Sequence, residues 1–321
     1  CDFPREQNQI NLARAERTAM SVGIHIDTDF ISTATLSSGG DFVFYEQIET
    51  PVDDAGALCQ QIAELAAKSG ADPAAAVSVA INTGFGAQPS PPNSPAVLAK
   101  LDIKSALQAS LGRPVDCIAP AQAYALYEAH FGAAQTTGVA CLLYLDQNVT
   151  GGVTFGQTLW KGGNRLAGAW GHMPLGWPVP HELDGKDCWC GRTGCLESFI
   201  SAKGVEADYL ASTETARTID DIARAASQND IVAESVLQVL DDRIGRATAM
   251  LVNMLDPDII TLAGRVANLD RLYVNVPRKW PGYTFTGKSA AKLVRASRGT
   301  DAIVAGACMH AKVANSKDFG E

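Results

Sequence analysis

Two stretches of the chain share one rhythm, and any fold must accommodate both. Residues 21–50, SVGIHIDTDFISTATLSSGGDFVFYEQIET, read as three short strands. Asp27-Thr28-Asp29 marks the first turn and Ser-Gly-Gly-Asp the second. Residues 138–163, GVACLLYLDQNVTGGVTFGQTLWKGG, repeat the scheme, again with an acidic first turn. Helical spacing follows each meander, in ALCQQIAELAAKSG after the first and in DIVAESVLQVLDDRIGRATAMLVNML after the second. In the latter, Val232, Val236, Leu240, Ile244, Ala247, Leu251 and Leu255 form one apolar stripe expected to be buried. VSVAINT and DPDIITLAG read as buried strands. A repeated strand-meander-plus-helix unit predicts a duplicated α/β fold, two lobes around a cleft. Chance recurrence of a common hairpin pattern is the plainer alternative.

Composition narrows the partners. The chain has 321 residues, net charge −9 and a pI of about 5.1. Nucleic acid and anionic membrane both require a basic footprint, so neither is expected to bind. No apolar run reaches the ~18 residues of a membrane span. Residues 1–19 lack the apolar centre of a signal peptide and are expected to be a leader, tag or linker. Five of the eight cysteines, Cys1, Cys59, Cys117, Cys141 and Cys308, stand alone, mostly in apolar segments. Buried free thiols in a cytoplasmic protein fit that pattern better than a disulfide framework.

The other three cysteines are crowded. His172, Cys188, Cys190 and Cys195 give H-x15-C-x-C-x4-C, with Gly191 and Gly194 allowing tight turns. Zinc takes four such ligands in a tetrahedron, and a closed set of four makes the ion structural. Three unmetallated surface thiols are the alternative, but they would invite oxidation. His181 is a rival to His172 as the fourth ligand.

His172 followed by Cys188-Trp189-Cys190-Gly191-Arg192-Thr193-Gly194-Cys195-Leu196-Glu197 resembles the zinc motif of the ROK family of sugar kinases and sugar-responsive repressors. The similarity runs from about Val22 to Lys312. LAGAWGHMPLGW, ESFISAKG, DPDIITLAG and NLDRLY look most like its fructokinase-type members. The resemblance implies a two-lobed actin/hexokinase-type, duplicated ribonuclease H-like α/β fold with a zinc loop at 172–196 in the larger lobe. It places a small lobe at 20–118, joined by a C-terminal helix at 301–313, and a large lobe at 119–300. It also implies a homodimer. Nineteen residues ahead of Met20 are too few for the helix-turn-helix domain of the family's repressors.

Carried over residue by residue, the family's chemistry is largely missing. The first phosphate turn, D-I-G-G-T-K in the kinases, reads Asp27-Thr28-Asp29-Phe30 after His25-Ile26. The second, G-T-G-x-G-G-G, reads Asp146-Gln147-Asn148-Val149-Thr150-Gly151-Gly152, keeping only its last two glycines. Carboxylates stand where phosphate would lie; a like-charge pair at ~4 Å costs about 4 kcal/mol at a dielectric of ~20. The family's general-base Asp lies six residues past a proline like Pro114; that place holds Pro120, within Ala119-Pro120-Ala121-Gln122. Asp116, four residues earlier, is a poor substitute. The sugar-binding Glu of G-E-x-G-H is Ala169. In the adenosine loop Gly264 remains and Arg265 replaces a glycine. The positions kept are Glu197 and His172 at the sugar, with Asn93 of the Pro-rich loop, and Gly151, Gly152 and Gly264 at the nucleotide. No residue is assigned as catalytic.

Three functions follow from this pattern. The first is an inactive sugar-kinase homologue acting as a hexose sensor, scaffold or dimerisation partner. The second is a working fructokinase-type enzyme using Mg-ATP. The third is the ligand domain of a transcription regulator whose DNA-binding part lies elsewhere, with residues 1–19 as linker. Among other residues, His25 reads as structural, and His130 and His310 as helix-end residues. Trp160, Trp170, Trp177 and Trp189 crowd the zinc region, as core packing or as a sugar-stacking face.

Overall fold

A computed structural model describes residues 21–51, 54–82, 96–98 and 101–317. Residues 1–19 and Asn93 therefore lie outside the described residues. The chain divides into two compact units. The first takes residues up to Tyr127 and returns for Thr300 onward; the second is Glu128–Gly299.

The first unit is built on β1 (Val22–Ile26), β2 (Phe30–Leu36), β3 (Phe42–Glu49), β4 (Val77–Ile81) and β5 (Val115–Ile118), in the order β3-β2-β1-β4-β5. β1 pairs antiparallel with β2 and parallel with β4, and β4 runs parallel to β5. β1 and β4 are buried on both faces, so they read as continuous apolar runs. β3 alternates half-buried with exposed residues along an edge. Helices α1 (Ala55–Lys68) and α2 (Ile103–Leu111) start on aspartate caps, Asp54 and Asp102, whose carboxylates accept backbone N–H groups. Leu58, Ile62 and Leu107 project from them into a core with Ile24, Ile31 and Val79.

Helix α3 (Pro120–Phe131) follows β5, and the last helix, α9 (Asp301–Lys317), packs on β1, β2 and β4. Contact between α9 and β1 is at backbone range: a Cβ added at Gly23 would collide with Val304 O and Cys308. Gly306 likewise lies against Ala123 O of α3.

The second unit repeats the plan. Strands β6 (Val139–Leu145), β7 (Val149–Phe155), β8 (Thr158–Trp160), β9 (Ile259–Ala263) and β10 (Lys292–Arg295) assemble in the order β10-β9-β6-β7-β8. The meander is antiparallel; β9 and β10 are added parallel on its open side. Read from the meander outward, this is the topology of the first sheet, and the chain has the duplicated, hexokinase-type fold expected. Helices α4 (Glu197–Ile200), α5 (Ala202–Thr213), α6 (Ile219–Ser227), α7 (Ile231–Leu255) and α8 (Arg271–Lys279) complete the unit. Phe199, Leu240, Ile244, Leu143 and Ile260 fill one core.

Two local expectations need correction. Val232, assigned to the buried stripe of α7, is 37% exposed because it lies in the first turn, before the helix meets the core; Leu255 is only half-buried. His310 is not at a helix end but inside α9 and buried, its Nδ1 2.7 Å from Ser78 Oγ and its Nε2 3.5 Å from Asp116 Oδ2. Among the described residues no helix is long and apolar enough to cross a membrane.

Candidate functional site

The segment between β8 and α4 carries the cysteine cluster. His172 ends a single 3-10 turn, Trp170–His172. The cysteine segment is closed by short backbone bonds, Cys188 N to Arg192 O at 2.8 Å and Gly191 N to Cys188 O at 2.9 Å. Gly191 and Gly194 adopt positive φ, +84° and +75°, which is why glycine is needed there. The donor atoms of His172, Cys188, Cys190 and Cys195 all lie within 4.8 Å of one another. Cys190 Sγ is 3.6 Å from Cys195 Sγ, and Cys188 Sγ is 3.7 Å from His172 Nδ1. Tetrahedral zinc with bonds of ~2.0–2.3 Å sets ligand edges of roughly 3.5–3.8 Å, so the donor set fits that ion. His181 is exposed and does not join the group.

Glu197 connects this loop to the sheet. Buried at the start of α4, it accepts the backbone N–H of Val149 on Oε2 at 2.9 Å. The indole N–H of Trp189 donates to Oε1. The Trp189 ring in turn meets the His172 ring edge-on at 4.9 Å. The His172 imidazole, an indole, a carboxylate and the start of β7 are thus in direct succession. The other tryptophans divide: Trp170 is buried and donates to Leu142 O, whereas Trp160 and Trp177 are exposed.

The β6–β7 turn itself holds a surprise. Asp146, read from sequence as a carboxylate set against phosphate, is ion-paired: its Oδ1 accepts Arg265 Nε at 2.9 Å and its Oδ2 accepts Arg265 N at 3.1 Å. Two residues 119 positions apart are thus partners. Gly264 turns the chain with φ +88°, against the backbone of Leu145. Gly151 and Gly152 lie inside β7, paired with Leu143 and Leu142, and Gly151 leaves room for the Trp170 indole.

In the first unit the corresponding turn follows β1. Thr28 N donates to Asp27 Oδ1 at 2.7 Å, and Thr50 Oγ donates to Asp27 O at 2.8 Å. His25, just before it, is buried and edge-on to Phe30. Burial pulls its pKa down to about 4, against the raising effect of Asp27. Pro120 is the first residue of α3, a position where its missing N–H costs nothing, and Ala123 N bonds Ala119 O. Asp116 is held by Cys117 N at 3.0 Å, with Lys104 Nζ at 3.9 Å and His310 beside it. His130 contacts Gln157 O at 3.0 Å.

A buried ionic network was missed altogether from sequence. Glu182, beyond His172 in the loop, accepts Arg243 Nε at 2.7 Å and two bonds from Arg246, at 2.8 and 3.0 Å. Asp208 on α5 joins through Arg243, and Asp242 through Arg246 at 3.0 Å. Burial alone would raise the Glu182 carboxyl; the bonds from Arg246, Arg243 and Val179 N outweigh it and bring its pKa to about 2. Only the RIGR run of α7, with Arg243 and Arg246 beside an apolar stripe, hinted at such a partner.

Comparison with known proteins covers nearly all of this. The ROK family profile matches residues 21–314. An N-acetyl-D-glucosamine kinase of Vibrio vulnificus strain YJ016 is 27% identical over 82% of this chain and 89% of its own length. The crystal structure of a ROK hexokinase from Thermus thermophilus superposes with TM-score 0.82 at 26% identity, covering 93% of this chain and 99% of that one. A ROK family glucokinase from Streptomyces griseus, solved with glucose and AMPPNP, shares the fold with TM-score 0.70 at 22% identity, covering 92% and 99%. With this fold, this cysteine loop and a family match spanning both units, the chain belongs to the ROK family.

Proposed function

We propose that this homologue of sugar kinases binds a hexose or hexose derivative without phosphorylating it, as a sensor, scaffold or regulatory partner. The observation that carries this reading is Pro120 at the head of α3, where the family's kinases place their general-base aspartate. A pyrrolidine ring accepts no proton, and a missing general base costs roughly 10²- to 10⁴-fold. Asp116 is already engaged by Cys117 N and lies beside Lys104 and His310. Glu197 and His172 are assigned to the sugar site, with Asn93 as a further candidate from the sequence. Gly151, Gly152 and Gly264 are what remains of the nucleotide site. One zinc, held by His172, Cys188, Cys190 and Cys195, fixes the loop that carries Trp189 and Glu197; the ion's role is structural. The protein acts in the cytoplasm as a homodimer.

A second reading, an active ATP-dependent kinase, draws on the N-acetyl-D-glucosamine kinases similar to over four-fifths of the chain. The motifs quoted above favour fructokinase-type members instead. A coupled assay with Mg-ATP on fructose, glucose, mannose and N-acetylglucosamine decides among these. The inactive reading expects no turnover above background from the wild type or from Pro120→Asp, since positioning of the phosphoryl group is also missing. Robust wild-type turnover on any of these sugars would overturn it and identify the substrate.

A further inference from the structure

Open α/β sheets bind ligands at the carboxyl ends of parallel strands, where the strand order reverses. In the second sheet that point lies between β6 and β9: β6 leads to β7 on one side and neighbours β9 on the other. Tyr144 and Ala263 are paired in register near the two strand ends. Beyond them the loops abut, with Gly264 against Leu145. This crevice holds two donors suited to an anion, the backbone N–H and the guanidinium of Arg265. Both engage one carboxylate of the same chain: Asp146 takes Arg265 N on Oδ2 and Arg265 Nε on Oδ1. Gln147 N, a further anion-seeking donor, also bonds Asp146 Oδ1, at 2.8 Å.

We infer that Asp146 is a built-in competitor for an anionic ligand, holding the donors of Arg265 so that a nucleoside triphosphate is excluded from this crevice. Glu206 and Asp220 also act electrostatically on Arg265. A phosphate chain entering here must displace Asp146. The inference rests on the non-phosphorylating reading above and gives it a reversible cause. It also makes the two substitutions unequal. Removing Asp146 releases a guanidinium and two backbone donors into the crevice. Removing Arg265 leaves the carboxylate uncompensated.

The experiment is calorimetric titration of the full chain with Mg-AMPPNP, for the wild type, Asp146→Gly, Asp146→Asn and Arg265→Gly. Circular dichroism melting of each protein confirms that it is folded. Expected is no saturable binding by the wild type or Arg265→Gly up to millimolar ligand. Asp146→Gly gains at least about ten-fold in affinity, and Asp146→Asn gains less. Should the Gly variant not fold, the Asn variant carries the test, because it keeps the shape and loses the charge. Equal affinity of wild type and Asp146 variants, whether tight or absent, overturns the inference. Absence throughout leaves the non-phosphorylating reading standing. Only sugar turnover by the wild type, measured separately, brings that reading down.

Discussion

The two sheets are copies in topology and opposites in electrostatics. Each places an aspartate directly after its first strand, Asp27 after β1 and Asp146 after β6, and in each the next residue's N–H caps that carboxylate, at 2.7 and 2.8 Å. In the second unit Arg265 neutralises the acid across the sheet. In the first unit the adjoining ionisable group is His25, which burial keeps neutral. The difference extends inward. The second unit buries a Glu182–Arg243–Arg246 network, whereas the buried polar groups of the first include His25, Ser78 and His310. Duplication preserved where strands go, because backbone pairing and period-2 burial decide that. It did not preserve how charge is accommodated at the strand ends.

The largest way to break the contrast is Glu182→Ala. It leaves two buried arginines facing no carboxylate on the loop side, and should cost about 3–5 kcal/mol. All five tryptophans, at 160, 170, 177, 189 and 280, belong to the second unit, so urea unfolding followed by indole fluorescence reads this effect where it occurs. A loss under about 1 kcal/mol would mean that solvent reaches the pair.

Acid sharpens the contrast next. His25 has a folded pKa of about 4 against 6.5 unfolded. Between those values only the unfolded chain takes up the proton, so its contribution is intact above pH 6.5 and falls as pH drops to 4, by about 3 kcal/mol. Glu182 changes in the same direction but in a lower window: its carboxylate contributes above pH 4.5, and that contribution is lost as pH falls towards 2. The first unit should therefore weaken before the second. Far-UV circular dichroism should register acid loosening at a higher pH than fluorescence does, and His25→Gln should flatten the slope between pH 6.5 and 4. Coincident acid transitions and an unchanged slope would refute the assignment.

Metal removal bears on the second unit alone. At free zinc a hundred-fold above its dissociation constant, a bound ion would contribute about 2.7 kcal/mol. Elemental analysis should find one zinc per chain, and Cys190→Ser or a chelator should lower the fluorescence-detected midpoint accordingly. Zinc-free protein purified without chelator would end that expectation. The smallest effect belongs to Asp146→Asn. Arg265 is 40% exposed, so losing this pair should change stability by no more than about 1 kcal/mol. A larger loss would make the pair a structural element.

Local features of the sequence revealed the architecture and little of the wiring. Alternation and turn residues disclosed both meanders, and the short spacing of Cys188, Cys190 and Cys195 disclosed the cluster, because each signal is complete within a few residues. Asp146 and Arg265 are 119 positions apart, and Ser78 and His310 are 232 apart. Such pairs impose no period on either partner's neighbourhood. Asp146 thus looked like an unopposed charge, and His310 like a helix-end residue. Glu182 stood among prolines and turn residues, with nothing nearby to show that it enters the core.

Helix α9 has a consequence for how the molecule is made. It begins at Asp301 yet supplies partners for the first two strands and the residue before them: Ser21 Oγ bonds Cys308 O across 287 positions, and Cys308 Sγ contacts Ala34 O across 274. A domain normally folds as it leaves the ribosome, N-terminal part first. Here β1, β2 and β4 emerge early with one face bare, and must wait while the whole second unit is translated. The half of the protein synthesised first is thus the half completed last. During that interval the sheet face that α9 covers stays open to solvent.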